Sequence, residues 1–396
     1  MRDRIDIAGE RFKADPFPTF ALMRNAGPLP LIRVPFLGEV RTTTTYAATE
    51  TVVKRTDLFV IEGRHAGRGG GAAGLRWWMP PIVRRLADNM LGRDDPEHRR
   101  LRRIVDGAFR RRAVEDMAPA ITACAERLLD RCDSETDLVE AYARRLPLDV
   151  ICDLLGLPET DRAFFAHEAE RGLGMRSTWG LPRAIVAMKR LSGLLEHRIA
   201  EARSHGGSGL LAELVQQDGE EALTADEILS MCFLLLLAGF ETTTHLIANA
   251  VVALERDGDM RREWCAAPSM RAIEELLRFT SPVQVTKPRF VAADTEVEGV
   301  ALRRGEVVMP CLAVANADPA VFDQPERLDL DRFPNPHLAF SSGPHFCLGM
   351  QLARMEARIA LERLYERFPN LTLGDEPRWA ARIGIRAIER LPVRLA

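Results

Sequence analysis

One cysteine stands where its neighbours make chemistry possible. In Phe340-Ser-Ser-Gly-Pro-His-Phe-Cys-Leu-Gly349, Cys347 lies inside a turn built from Gly343, Pro344 and Gly349. Leu348, Leu352, Met355 and Ile359 follow at helical spacing, which predicts the cysteine at the mouth of a helix. Free backbone N–H groups and the positive end of the helix dipole favour a thiolate there. Glycines let a flat ligand approach the backbone. A thiolate held this way suits an axial ligand to haem iron. A lone cysteine at a helix start is also an ordinary packing residue. The joint spacing of Phe340, Gly343, His345, Cys347 and Gly349 is what points to a ligand.

Three more constellations carry candidate chemistry. Ala238-Gly-Phe-Glu-Thr-Thr-Thr244 interrupts an apolar run with an acid and three hydroxyls. Polar groups in such a run are costly unless they serve something. Thr242 can turn its hydroxyl onto the Ala238 carbonyl and open a groove. The same residues also fit a threonine patch satisfied by its own backbone, with Glu241 paired to a basic side chain. His98 and Arg102 lie four apart in Asp95-Pro-Glu-His-Arg-Arg-Leu-Arg-Arg103, on one helical face, where they could grip a carboxylate. Glu275 and Arg278 form a helical i, i+3 ion pair.

The cysteine loop resembles the haem-binding loop of the cytochrome P450 family, F-x-x-G-x-H-x-C-x-G, at every fixed position. Ser341 stands where many bacterial members carry glycine. Residues 238–243 resemble the family's A-G-x-[DE]-T-T oxygen-activation motif. The resemblance implies a mainly α fold with a smaller β-rich part and b-type haem between two buried helices. It implies Cys347 as iron ligand, and His98, Arg102, Arg289 and His345 around the haem, with Phe340 and Gly349 framing the loop. Glu241 matches the acid of a proton relay, and Thr242 the alcohol that holds dioxygen and directs protons to it. Glu275 and Arg278 match an E-x-x-R pair joined by Arg332, a structural support for the cysteine loop. The implied reaction is monooxygenation of an apolar small molecule, with electrons from a separate ferredoxin and its NAD(P)H-dependent reductase. A peroxide-driven enzyme and a non-enzymatic haem-thiolate sensor are the alternatives. The intact Glu241-Thr242 pair disfavours the first, and the want of a visible output module disfavours the second.

The elements that must position these groups are legible in part. Thr224 followed by Glu227 is a capping-box start, opening a helix to about Leu254 that is apolar on nearly all sides. Phe17, Phe20 and Met23 share a face of a helix entered through prolines. Residues 34–45 read as a short hairpin and residues 290–309 as a small sheet. The glycine-rich stretch 63–74 is a loop, not a P-loop, because no Lys-Ser/Thr follows. The resemblance makes residues 171–182 a lid over the substrate entrance and residues 383–393 a final hairpin. Candidate pocket residues are Trp77, Trp78, Leu235, Ala238, Val283, Val285 and Ile383. The tryptophans fit the core of a short helix equally well. Ala317 stands where the family more often has arginine.

The 396 residues are 46% hydrophobic and 28% charged, ordinary for a globular protein, and motifs along the whole length imply a single haem domain, 1–396. A net charge of −3 implies no nucleic-acid partner. Seven scattered cysteines without a C-x-x-C pair argue for a reducing compartment, and the charged N-terminus carries no signal peptide. The expectation is a cytoplasmic monomer with no membrane association. Arg99, Arg100, Arg103, Arg110, Arg111 and Arg112 are a solvated basic face or, by resemblance, the ferredoxin's docking site.

Overall fold

The computed structural model describes residues 6–34, 38–69, 79–173, 181–217 and 222–396. Helices dominate, and the longest runs through the middle, Ala225–Arg256. Its start is the expected capping box: the Glu227 N–H donates to Thr224 Oγ1 (3.2 Å), and the Thr224 N–H donates to Glu227 Oε2 (2.8 Å). Two orphan donors are thereby satisfied and the first turn is fixed. Leu229, Leu236, Ile247, Ala250, Val251 and Leu254 are fully buried at spacings that wrap the helix, so other helices cover most of its surface. By length and composition it could cross a membrane, but 67% of its most apolar window is buried inside the protein.

Leu352, Ala357, Ile359, Ala360, Leu361 and Leu364 bury one side of the Met350–Arg367 helix in the core that holds the central helix. The two helices are tied by a hydrogen bond between Thr243 and the buried carboxyl of Glu356. The Met270–Thr280 helix, N-capped by Ser269, packs into the same core through Ala272, Ile273, Leu276 and Leu277. Ahead of them in sequence lie Glu97–Asp106, which carries His98 and Arg102, and the long pair Glu159–Leu173 and Leu181–His205. The expected lid falls between that pair, and residues 174–180 are outside the described residues.

The β-rich part joins distant sequence. Leu31–Val34 and Gly38–Thr42 form the predicted N-terminal hairpin, with slightly shifted ends. Gly38–Thr42 runs parallel to Val307–Met309, which is antiparallel to Arg289–Val291, and Phe59–Val60 completes five strands. The expected sheet in 290–309 is therefore split: Thr295–Val297 and Val300–Leu302 form a separate hairpin, and the outer strands join the N-terminal sheet. The C-terminal hairpin also differs from expectation. Arg378–Trp379 pairs with Ile388–Arg390, while Pro392–Arg394 pairs with Glu135–Asp137 and Thr372–Leu373. Residues 383–385 thus sit near the tip of a hairpin whose first strand, Arg378–Trp379, lies ahead of the stretch the resemblance implied.

Candidate functional site

The cysteine loop is pinned from several sides before its helix begins. The Cys347 N–H donates to Phe340 O (3.0 Å) and the Phe346 N–H to Gly343 O (3.0 Å), closing the turn. Gly343 has φ +71°, and a Cβ there would come within 2.6 Å of the Val53 carbonyl oxygen, so neither the conformation nor the space admits a side chain. Arg102 donates through Nη1 to Phe346 O (2.7 Å) and Pro344 O (3.1 Å), fastening the loop to the Glu97–Asp106 helix. The Arg354 guanidinium covers the Phe340 ring at 4.8 Å. Helical hydrogen bonding starts at Met350 with Gly349 as N-cap, so Cys347 stands just outside the helix mouth. Its thiol is pushed up by burial; the Gly349 N–H and the charges of Arg102 and Arg354 act the other way. The expected place of Cys347 at the helix mouth is thus present, and burial opposes the stabilisation that the N–H and the two cations give a thiolate.

Around the loop the protein gathers largely buried basic groups. His98 is 3% exposed, and its ring lies 4.0 Å from that of His345, centre to centre. Arg289 is buried beside them, and Lys287, two residues earlier, is close enough for the two cations to repel. Burial pushes His345 down to about 2, Lys287 to about 8 and Arg289 to about 10; repulsion from neighbouring cations adds to the first two, while Asp94 opposes the shift of Arg289. Arg289 Nη1 and His345 Nδ1 are buried without a hydrogen-bond partner. Lys287 was not read from the sequence, although its i, i+2 relation to Arg289 in extended chain is a signal that could have found it.

The central helix leaves one face uncovered. Leu234, Leu237, Ala238, Gly239, Glu241 and Thr242 remain partly accessible although the helix runs through the core. Leu235, expected on this face, is instead 6% exposed within the main apolar cluster. Helical period does not set it apart, since Leu235 lies about 20° from Thr242 around the helix axis; neighbouring side chains of the main cluster cover it. Gly239 lets this helix approach its neighbour, since a Cβ there would lie 3.0 Å from Ile151. Thr242 Oγ1 donates to Ala238 O (2.8 Å) as anticipated, and Thr243 and Thr244 make the same bond one turn back. Glu241 is paired with Arg382, so both parts of the plainer reading of this motif are present as well. Burial raises Glu241 above the ordinary carboxylate range, while Arg382 and Arg144 oppose the rise.

Val283 and Val285 are half-buried and bridge to Ile385 and Cys311 respectively, next to the exposed Ile383. Trp77 and Trp78 lie outside the described residues. Ile82, in the short helix Pro81–Ala87, packs against the main core. Glu275, Arg278 and Arg332 do come together. The carboxylate receives Arg278 Nε and Nη2 at 2.7 Å and Arg332 Nε at 3.1 Å, all three residues being buried. At the Ala317 site, the side chain joins Phe12, Phe20 and Met23 in one apolar cluster. Asp318 beside it accepts from the Tyr46 N–H (2.7 Å) and lies in the field of Arg24 from the Phe17–Asn25 helix. Of the arginines expected to form a docking face, Arg103, Arg110, Arg111 and Arg112 are exposed or partly so. Arg99 and Arg110 are exposed but paired with Asp95 and Asp106, and Arg100 is half-buried between Glu97 and Glu227.

Comparison with known proteins decides the family. A Cytochrome P450 family model matches residues 270–380. Cytochrome P450 monooxygenase PikC of Streptomyces venezuelae is 35% identical over 397 residues, covering 98% of this chain and 92% of that one. The chain belongs to the bacterial cytochrome P450 family. It is similar also to 6-deoxyerythronolide B hydroxylase of Saccharopolyspora erythraea, 34% identical with 98% of both chains covered. The fold agrees: P450BioI, solved with an acyl carrier protein bearing hexadec-9Z-enoic acid, superposes with a TM-score of 0.88 at 31% identity, over 98% of this chain and 99% of that one. The protein is a cytochrome P450 monooxygenase, and its family's cofactor is haem. The residues present fit that group. Haem offers two carboxylates, and the loop is flanked by basic groups of which Arg289 Nη1 and His345 Nδ1 lack a partner. An anion there offsets the burial that depresses their proton affinities. Haem also needs a sulfur donor, and Cys347 lies in the same loop as His345.

Proposed function

We propose that this P450 hydroxylates or epoxidises an apolar small molecule, using b-type haem held by Cys347 and the basic groups around it. The observation that carries the reading is the cluster of His98, Lys287, Arg289 and His345 beside a cysteine turn that tolerates no side chain at Gly343. Cys347 supplies the sulfur ligand, while Arg289, His98, His345 and Arg102 neutralise the propionates. When bound, haem supplies dioxygen activation, and a thiolate ligand favours cleavage of the O–O bond. Thr242 holds a hydroxyl on the open face of the central helix, and Glu241 beside it takes up and gives protons. The surrounding apolar side chains exclude bulk water, so protons arrive through these two groups.

Leu234, Ala238, Val283, Val285 and Ile383 form an apolar wall, which supports a substrate with few charges. Relatives acting on 6-deoxyerythronolide B and binding a C16 acyl chain support a large, largely aliphatic one. Electrons come from a ferredoxin and its NAD(P)H-dependent reductase. Arg99, Arg103, Arg110, Arg111 and Arg112, all exposed, attract an acidic partner there, and Arg100, half-buried between two acids of this chain, contributes less. Seven free cysteines support a reducing, cytoplasmic setting for a monomer built as one haem domain. The test is a panel of macrolactones, steroids and long-chain acids, screened for a low-to-high-spin shift and turned over with reduced ferredoxin. The reading predicts oxygenated product that requires ferredoxin and dioxygen. Glu241→Gln or Thr242→Ala should then consume reductant while losing product. Product from peroxide alone, unaffected by these variants, would favour a peroxygenase.

A further inference from the structure

The central helix touches the C-terminal hairpin at three successive turns. Glu241 receives Arg382 Nη1; His245 Nδ1 lies 3.4 Å from the Ile388 nitrogen; Asn249 Nδ2 donates to Arg386 O (2.8 Å). The contacts lie four residues apart on the helix, so they share one face. Their anchoring is graded. At the inner end Arg386 is buried, with its guanidinium on the carbonyls of Lys13 (2.8 Å), Ala14 (3.1 Å) and Thr280 (3.5 Å). At the outer end Ile383 is 38% exposed, and the residues from Arg382 to Ile385 are partly open. There Gly384, at φ +87°, accepts from the Gln284 N–H (2.7 Å) between the half-buried Val283 and Val285.

The acid thus shares an ion pair with the partly open end of a hairpin whose next residues lie against Val283 and Val285. Among the described residues, its charged and titratable surroundings include Arg382 on the hairpin, Arg144 at the start of the Arg145–Leu155 helix, itself paired with Glu140, and His245 one turn on. His245 is buried and pushed down to about 3, so it is neutral and neither attracts nor repels the carboxylate. Burial favours the neutral acid, and the two guanidiniums favour the ionised one. Only one of them rides on the hairpin.

We propose that Arg382 is a positioning residue for Glu241, holding it as an ionised carboxylate until substrate seated against residues 383–385 loosens the pair. The inference rests on the reading of Glu241 as the proton carrier. Loosening leaves the carboxyl to its buried setting, where it takes up a proton and can pass it on. Proton delivery is thereby tied to substrate occupancy, and the empty protein is kept from spending reductant.

The experiment uses the haem-loaded protein. The protonated-carboxyl stretch of Glu241 is identified by infrared difference against Glu241→Gln and followed with pH in wild type, Arg382→Gln, Arg382→Lys and Asn249→Ala. Reductant consumption without substrate is measured in parallel. Removing a cation in contact should raise the proton affinity of Glu241 at least ~10-fold in Arg382→Gln. Substrate-free consumption should rise severalfold with it. Arg382→Lys should recover most of both effects. Asn249→Ala should speed amide exchange in residues 386–388 and leave the Glu241 titration in place. If Glu241→Gln changes neither product yield nor its pH profile, the underlying reading of the acid falls. If Glu241→Gln does matter, the Arg382 proposal is overturned by an unshifted titration in Arg382→Gln, by failure of lysine to rescue, or by an equal shift in Asn249→Ala.

Discussion

Replacing Glu275 by alanine should cost the protein about 4–5 kcal/mol of stability, although this residue touches no reacting group. Its carboxylate is fully buried and receives Arg278 through two bonds of 2.7 Å, Arg332 Nε at 3.1 Å to both oxygens, Asn335 Nδ2 at 3.1 Å and the Asp329 N–H at 3.1 Å. The two guanidiniums spend their other donors on the carbonyls of Asn316, Pro325, Arg327 and Asp323. The irregular chain leading to Phe340 and the cysteine loop is thus fastened to the Met270–Thr280 helix through one carboxylate. Removing one partner of a buried pair costs about 3–5 kcal/mol, because the remaining charge stays desolvated. Here two cations lose one anion, so the upper part of that range applies. A whole protein of this kind is stable by only about 5–15 kcal/mol. Glu275→Gln keeps the volume and one acceptor and should fall between. Glu50→Ala, which breaks the exposed pair with Lys54, serves as control and should cost less than ~0.5 kcal/mol. The assay is urea unfolding of the haem-loaded protein, followed by far-ultraviolet circular dichroism and by the Soret band. A Glu275→Ala protein within ~1 kcal/mol of wild type would refute the reasoning that this network is held by charge compensation.

Other outcomes follow from single contacts. Gly343→Ala places a Cβ 2.6 Å from the Val53 carbonyl at φ +71°, so the loop must shift; haem retention after gel filtration should fall by more than half. Ser341 adopts φ +61° and buries a hydroxyl without a partner, so Ser341→Gly should raise stability in urea by roughly 1 kcal/mol. Lys13 is buried and lowered to about 7 by desolvation, so between pH 7 and 10.5 the unfolded chain binds a proton that the native state does not. Wild-type stability should therefore decline relative to Lys13→Met as pH falls through that window, by up to ~1.4 kcal/mol per unit, and the difference should level off below 7.

Features carried by local spacing are legible in the sequence itself. The cysteine turn, the Thr224–Glu227 capping box and the Glu275–Arg278 pair each lie within a few residues, and the chain geometry that unites them is that of a single turn or helix. Features created by distant chain are not. Arg382 meets Glu241 across 141 residues, and Lys13 meets Gln284 across 271. Nothing in either neighbourhood names its partner. Glu356 has the sequence context of an ordinary charged residue on an amphipathic helix, and only the fold brings Thr243 over it. Leu235 differs for another reason: it lies about 20° from Thr242 around the helix axis, and only the packing of distant neighbours decides which of two adjacent positions is covered. Arg100 belongs to a basic run, but the start of the central helix brings Glu227 against it.

The central claim is that Cys347 gives this protein a haem-thiolate centre. Its most direct test is the absorption spectrum of the dithionite-reduced protein under carbon monoxide, for wild type and Cys347→Ala. A strongly red-shifted Soret band in wild type, lost in the variant, is the predicted result. An ordinary histidine-type carbonyl spectrum in wild type, or a red-shifted band that survives in Cys347→Ala, would contradict it.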